Sequence, residues 1–163
     1  MVRKSKTKAE TYEKYVKSLL VFITSVFLPE EGRIAFECLE APFLDEELYK
    51  IKPIHMSRHL ELLAYGKQNP DPDMKPTQRR AEGLRFVKKA VSWWMPNKDL
   101  QWNPQTKMGN PTKSRLVNEC IAEIALRECR GGGKKSGAKR DLKREEFKKT
   151  LKEVHRVRKN VDR

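Results

Sequence analysis

The sequence predicts an all-α fold: a compact helical bundle followed by a basic linker and a C-terminal helix. Three observations carry the prediction. Apolar residues recur at spacings of three and four through most of the chain, the period of one helix face. No segment alternates apolar and polar residues as a half-buried strand would. Internal self-similarity is also missing, so a repeat architecture is not expected. With 163 residues and six Phe and three Trp, the chain suits one domain with a modest core.

The elements follow in order. Residues 1–8 (MVRKSKTK) read as a disordered basic arm. From about Ala9 to Phe27 a helix is expected, with Tyr12, Tyr15, Val16, Leu19, Leu20, Ile23 and Phe27 on its apolar side. Pro29 and Gly32 end it. A short helix is expected from Arg33 to Leu39, before Ala41–Pro42. Ile54 to Tyr65 is again helical in pattern, with Met56, Leu60 and Leu63 on one side and Gly66 as its stop. Residues 67–76 (KQNPDPDMKP) form an exposed loop. Thr77 is placed to cap the next helix, which runs to about Met95 on a stripe of Ala81, Leu84, Val87, Val91 and Trp94. Residues 96–111 are a turn-rich connection that Trp102 pins to the bundle. Asn110–Pro111 supplies a cap and a first-position proline for a helix built on Leu116, Val117, Cys120, Ile121, Ile124 and Ala125. The domain so defined spans 9–130. Residues 131–140 (GGGKKSGAKR) are a flexible basic linker. Asp141 to about Lys159, within a last segment 141–163, is one more amphipathic helix, with Leu142, Phe147, Leu151 and Val154 facing inward.

Charge is segregated along this order. Residues 1–76 carry twelve Lys or Arg against twelve Asp or Glu, residues 77–130 eleven against five, and residues 131–163 thirteen against five. Solubility alone does not require such a distribution. A polyanion lying along one side does, because each neutralised phosphate releases condensed counterions. The candidate contacts are therefore Arg79, Arg80, Arg85, Lys88 and Lys89 on the helix from Thr77. Lys113 and Arg115 follow in the first turn after Pro111, and Lys134, Lys135, Lys139 and Arg140 in the linker. Cations at a helix N-terminus oppose its dipole, and a phosphate there resolves the conflict.

Other chemistries are poorly supported. Cys38, Cys120 and Cys129 are odd in number without a CxxC spacing, so a reducing compartment is expected rather than a disulfide framework. His55 and His59 lie four apart, but no Glu frames them and no third ligand is near, so no metal is expected. Asp45–Glu46–Glu47 and Glu145–Glu146 read as charges at helix starts. The chain lacks P-loop, GxGxxG and GxSxG patterns, and no cofactor or small-molecule substrate is expected. The longest apolar run, Leu19 to Leu28, is too short for a membrane span. Trp93, Trp94 and Trp102 are the aromatics that could stack on unpaired bases. Adjacent Trp93 and Trp94 cannot share one helix side, so at least one is expected to be partly exposed, and Trp94 is assigned to the core.

A set of short motifs in order then resembles a known family. They are Tyr65–Gly66–Lys67, Lys75–Pro76–Thr77, Lys88–Lys89–Ala90, Met95–Pro96–Asn97, Trp102, Gly109–Asn110–Pro111–Thr112, Ser114, Val117–Asn118, and Ala138–Lys139–Arg140 before Glu145–Glu146–Phe147. Together they resemble the N-terminal core-binding part of Crypton-type tyrosine recombinases, which are similar to phage integrases. The resemblance implies a SAM-like helical domain clasping one side of duplex DNA. It further implies a linker at 131–140 and, from Leu142, the first helix of a truncated catalytic domain. Such enzymes attack DNA with a Tyr hydroxyl near the end of the catalytic domain. Here Tyr12, Tyr15, Tyr49 and Tyr65 all lie early, so a nuclear DNA-binding role without catalysis is expected. Self-association through the C-terminal helix is a further expectation. Phosphate attraction alone also suits an RNA-binding helical module, and a basic surface also suits an acidic protein partner.

Overall fold

A computed structural model of the chain describes residues 7–26 and 34–132. The linker contacts Lys134, Lys135, Lys139 and Arg140, the C-terminal helix, and the dimerisation assigned to it lie outside these residues. So do residues 1–6 of the basic arm and Phe27. Among the described residues the protein is an all-α bundle, with helices α1 (Lys8–Ser25), α2 (Asp45–Leu48), α3 (Pro53–Tyr65), α4 (Ala81–Trp94) and α5 (Arg115–Arg127). A 3-10 turn, Pro111–Lys113, precedes α5, and a π-turn, Glu128–Gly132, follows it. The nearest thing to a sheet here is one isolated bridge between Asn103 and Met108. No described helix is long and apolar enough to cross a membrane.

Helices α3 and α4 form the middle of the bundle, each touching both α1 and α5. The core follows the three-and-four spacing. Leu19, Leu20 and Ile23 of α1 meet Met56 and Leu60 of α3, Leu84, Val87 and Val91 of α4, and Val117 and Ile124 of α5, all buried. Each large side chain so buried contributes about 1.5–3 kcal/mol. Ala90, buried on α4, allows close approach at its turn.

Helix starts depart from expectation in instructive ways. The helix α1 begins at Lys8, because Thr7 and Glu10 form a capping box: the Thr7 amide donates to Glu10 Oε2 at 3.0 Å and the Glu10 amide to Thr7 Oγ1 at 3.3 Å. Thr7 and Lys8 thus belong to the bundle, not to the arm. Residues 34–39, expected to complete a short helix from Arg33, are not helical. That segment is tied down by side chains instead: the Glu37 amide donates to Glu47 Oε2 at 3.0 Å, and Lys17 pairs with Glu40. The local helix forms later, at Asp45–Leu48. Pro53 opens α3, where the Lys52 amide donates to His55 Nδ1 at 3.1 Å. Gly66 ends α3 at φ +79°, as a left-handed cap.

Thr77 does not cap α4. Its amide-rich start is capped from across the bundle, with the Ala81 amide donating to Glu128 Oε2 at 3.1 Å. Nor does a single helix follow Pro111. Asn110 caps the 3-10 turn, and Ser114 separately caps α5 by accepting from the Val117 amide at 3.3 Å. Leu116, expected on the apolar side of α5, is 43% exposed; the inward stripe is Val117, Ile121 and Ile124.

Candidate nucleic-acid interface

Helix α4 turns Leu84, Val87 and Val91 to the core. The same period carries Arg85, Lys88, Lys89 and Ser92 to its other side. Opposite stand the Pro111–Lys113 turn and the first half of α5, contributing Lys113, Asn118, Ile121 and Ala122. Between these walls runs an open groove of about 660 Å³, lined also by Lys98 and Asp99.

Asn110 fixes the spacing of the walls. It is fully buried, and its side chain bonds three separate pieces of backbone and side chain. Its Nδ2 donates to Ser92 Oγ at 2.8 Å, on α4, and to the Lys98 carbonyl at 3.1 Å. Its Oδ1 accepts from the Thr112 amide at 3.0 Å and the Thr112 hydroxyl at 2.7 Å. The connecting loop is held close by Gly109 at φ +107°, where a Cβ would lie 2.3 Å from the Gln101 carbonyl oxygen.

The groove gathers five cations, Arg85, Lys88, Lys89, Lys98 and Lys113, against the single carboxylate of Asp99. Arg85 pairs with Glu82 at 3.0 Å. Among the described residues the four lysines make no ion pair. Two of the four amines rest on neutral oxygens: Lys88 donates to Asn118 Oδ1, and Lys113 to the Asp99 carbonyl at 3.1 Å. Burial, and then the charge of Lys113, hold the Lys88 amine below the usual lysine range. The two ammonium groups therefore repel each other across the groove. A phosphate between them would supply the missing charge.

The sequence-predicted contacts divide. Arg85, Lys88, Lys89 and Lys113 come together in the groove. Arg79 and Arg80 do not line it: Arg79 lies over the Tyr15 ring at 5.8 Å, and Arg80 reaches Glu128 at 3.7 Å. Arg115 points to solvent beside Glu119 at 3.4 Å. Lys98 was missed, because only the docking of its loop on Asn110 brings it to the groove. No sequence spacing signals that.

Other candidate groups have structural roles. His59 is buried against the Phe22 ring, with centroids 5.1 Å apart, and burial with the nearby Arg79 charge lowers its pKa to about 4. Burial raises the Cys120 thiol to about 11, far from a reactive thiolate. Trp94 packs edge-on against Phe43 at 5.1 Å, whereas Trp93 is 39% exposed at the groove. Trp102 lies with Leu48, Met95 and Pro111 around a second, smaller depression, joining its loop to the bundle. Comparison of the chain with family models, with curated proteins and with solved structures finds no match.

Proposed function

We propose that this chain binds duplex DNA, with the groove between α4 and the start of α5 seated on the phosphate backbone. The observation that carries the reading is the gathering of Arg85, Lys88, Lys89, Lys98 and Lys113 against one carboxylate, on walls fixed by a buried asparagine. Arg85 is paired with Glu82, but the four lysines make no ion pair among the described residues, and converging charge of that kind favours a polyanion. The ordered motifs that resemble Crypton-type tyrosine recombinases support the same role, that of a core-binding domain gripping one side of the duplex. The role is binding; strand cleavage is not assigned to these residues.

The test is positional. Replacing Lys88, Lys89 and Lys113 by Gln removes three charges from the groove, whereas replacing Lys17, Lys67 and Lys75 by Gln removes three from elsewhere. Binding of a random duplex of about thirty base pairs should weaken by about a hundredfold for the groove set near 0.1 M salt, and little for the other. Equal losses from both sets would assign binding to net charge and reject the groove. Competition by single-stranded RNA at matched length separates the duplex reading from an RNA-binding one, which would show stronger competition by the RNA.

A further inference from the structure

The groove is more than a row of cations. Phosphates alone need charge at a surface, yet here the charge lines an open recess together with the apolar Ile121 and Ala122 and the aromatic Trp93. Its volume of about 660 Å³ falls within the roughly 300–1,000 Å³ of sites that take small organic ligands. Polar groups converge as well. The Ser92 hydroxyl lines the recess, and Asn118, whose oxygen accepts from Lys88, offers the site its amide donors.

Trp93 is held ready. It meets Tyr12 edge-on with centroids 5.9 Å apart and Trp94 at 5.1 Å. Phe86, 40% exposed and two turns earlier on α4, also meets Tyr12 edge-on, at 5.5 Å. Phe86, Lys89 and Trp93 follow at spacings of three and four, an aromatic–cation–aromatic line on one face. Part-exposed aromatics held by edge-on ring contacts and interleaved with a cation suit stacking on an unpaired base and charge contact with its phosphate.

We propose that the groove takes one unpaired nucleotide beside the duplex, its base against Trp93 over Ile121 and Ala122 and its phosphate between Lys88 and Lys113. This rests on the duplex-binding reading and narrows it: DNA with an extruded nucleotide becomes the preferred ligand. An extruded base exposes both π-faces at no unpairing cost, whereas an intact duplex must first unstack one.

The experiment compares the full chain on two duplexes of about thirty base pairs, one intact and one with a single-nucleotide bulge of 2-aminopurine. Binding should be about tenfold tighter to the bulged duplex, with 2-aminopurine fluorescence quenched on saturation. Trp93→Leu should bring the affinity ratio to about one and abolish the quenching, and Trp93→Phe should retain part of both. Equal affinities with unquenched 2-aminopurine would overturn the nucleotide site while leaving duplex binding in place. A bulge preference that survives Trp93→Leu would likewise overturn it, by assigning the preference to DNA bending. Failure to bind either duplex would reject the duplex reading itself. Where the Leu variant does not fold, Trp93→Phe carries the test, and undiminished quenching and bulge preference in it would overturn the site.

Discussion

His59 shows how position overrides a residue's usual chemistry. Four residues from His55 on one helix, it has the spacing of a metal ligand pair. Yet the His55 Nδ1 accepts the Lys52 amide, and the His59 ring sits in the core beside Phe22. Buried neutral, His59 binds a proton less readily folded, at a pKa of about 4, than unfolded, near 6.5. The unfolded chain therefore holds more protons between those values. Stability should be full above pH 6.5, fall as pH drops toward 4, and lose roughly 3 kcal/mol from this group across the window. Urea unfolding at pH 7 and pH 5 should show about 2 kcal/mol of that loss, and His59→Leu should flatten the slope in the upper part of that window. Asn110 is the second informative residue. Its cap to Thr112 was legible in the Asn–Pro pair, but its bonds to Ser92 and the Lys98 carbonyl were not, since they link positions distant in sequence. Asn110→Ala should cost about 3 kcal/mol, because it strips partners from several buried groups. It should also weaken DNA binding by loosening the groove. Unchanged stability in this variant would remove Asn110 from its positioning role.

At the scale of elements, periodicity was a sound guide and capping an uneven one. Helices α1, α3, α4 and α5 are visible in the spacing of their apolar residues, because a 3.6-residue period with one buried face leaves little else for those segments to do. The Thr7–Glu10 capping box and the Gly66 stop are local, so they too are written in sequence. The start of α4 is not: Glu128, from the far end of α5, caps it, and the nearer Thr77 stays outside. Residues 34–39 failed as a helix for a related reason. Their backbone is captured by Glu47 and their side chains by the bundle, contacts that no local window contains. Within α4, Gly83 is exposed, and a Cβ there meets nothing within 4 Å. Gly83→Ala should therefore stabilise the protein by about 0.5–1 kcal/mol, seen as a rise of a few degrees in Tm. A fall in Tm would mean that α4 is bent or crowded at this turn in a way its geometry does not show.

Across the whole molecule, charge segregation pointed to residues 77–163, and among the described ones tertiary structure sorts the cations. Arg79 and Arg80 are turned to Tyr15 and Glu128, and Arg115 to Glu119, while Lys98 is brought in from a loop. Composition could not foresee this sorting, since it depends on which wall each helix turn faces once α4 and α5 pack. What emerges is a groove with cations at its rim, and the proposed function has those cations hold phosphates. Counterion release tests it most directly, through the slope of log affinity against log salt for a duplex of about thirty base pairs. The chain should show a slope of about −4 or steeper, and replacing Lys88, Lys89 and Lys113 by Gln should reduce its magnitude by about 2.7, roughly 0.9 for each phosphate released. A slope that the three substitutions leave unchanged would contradict the account, placing the phosphate contacts on some other face of the protein.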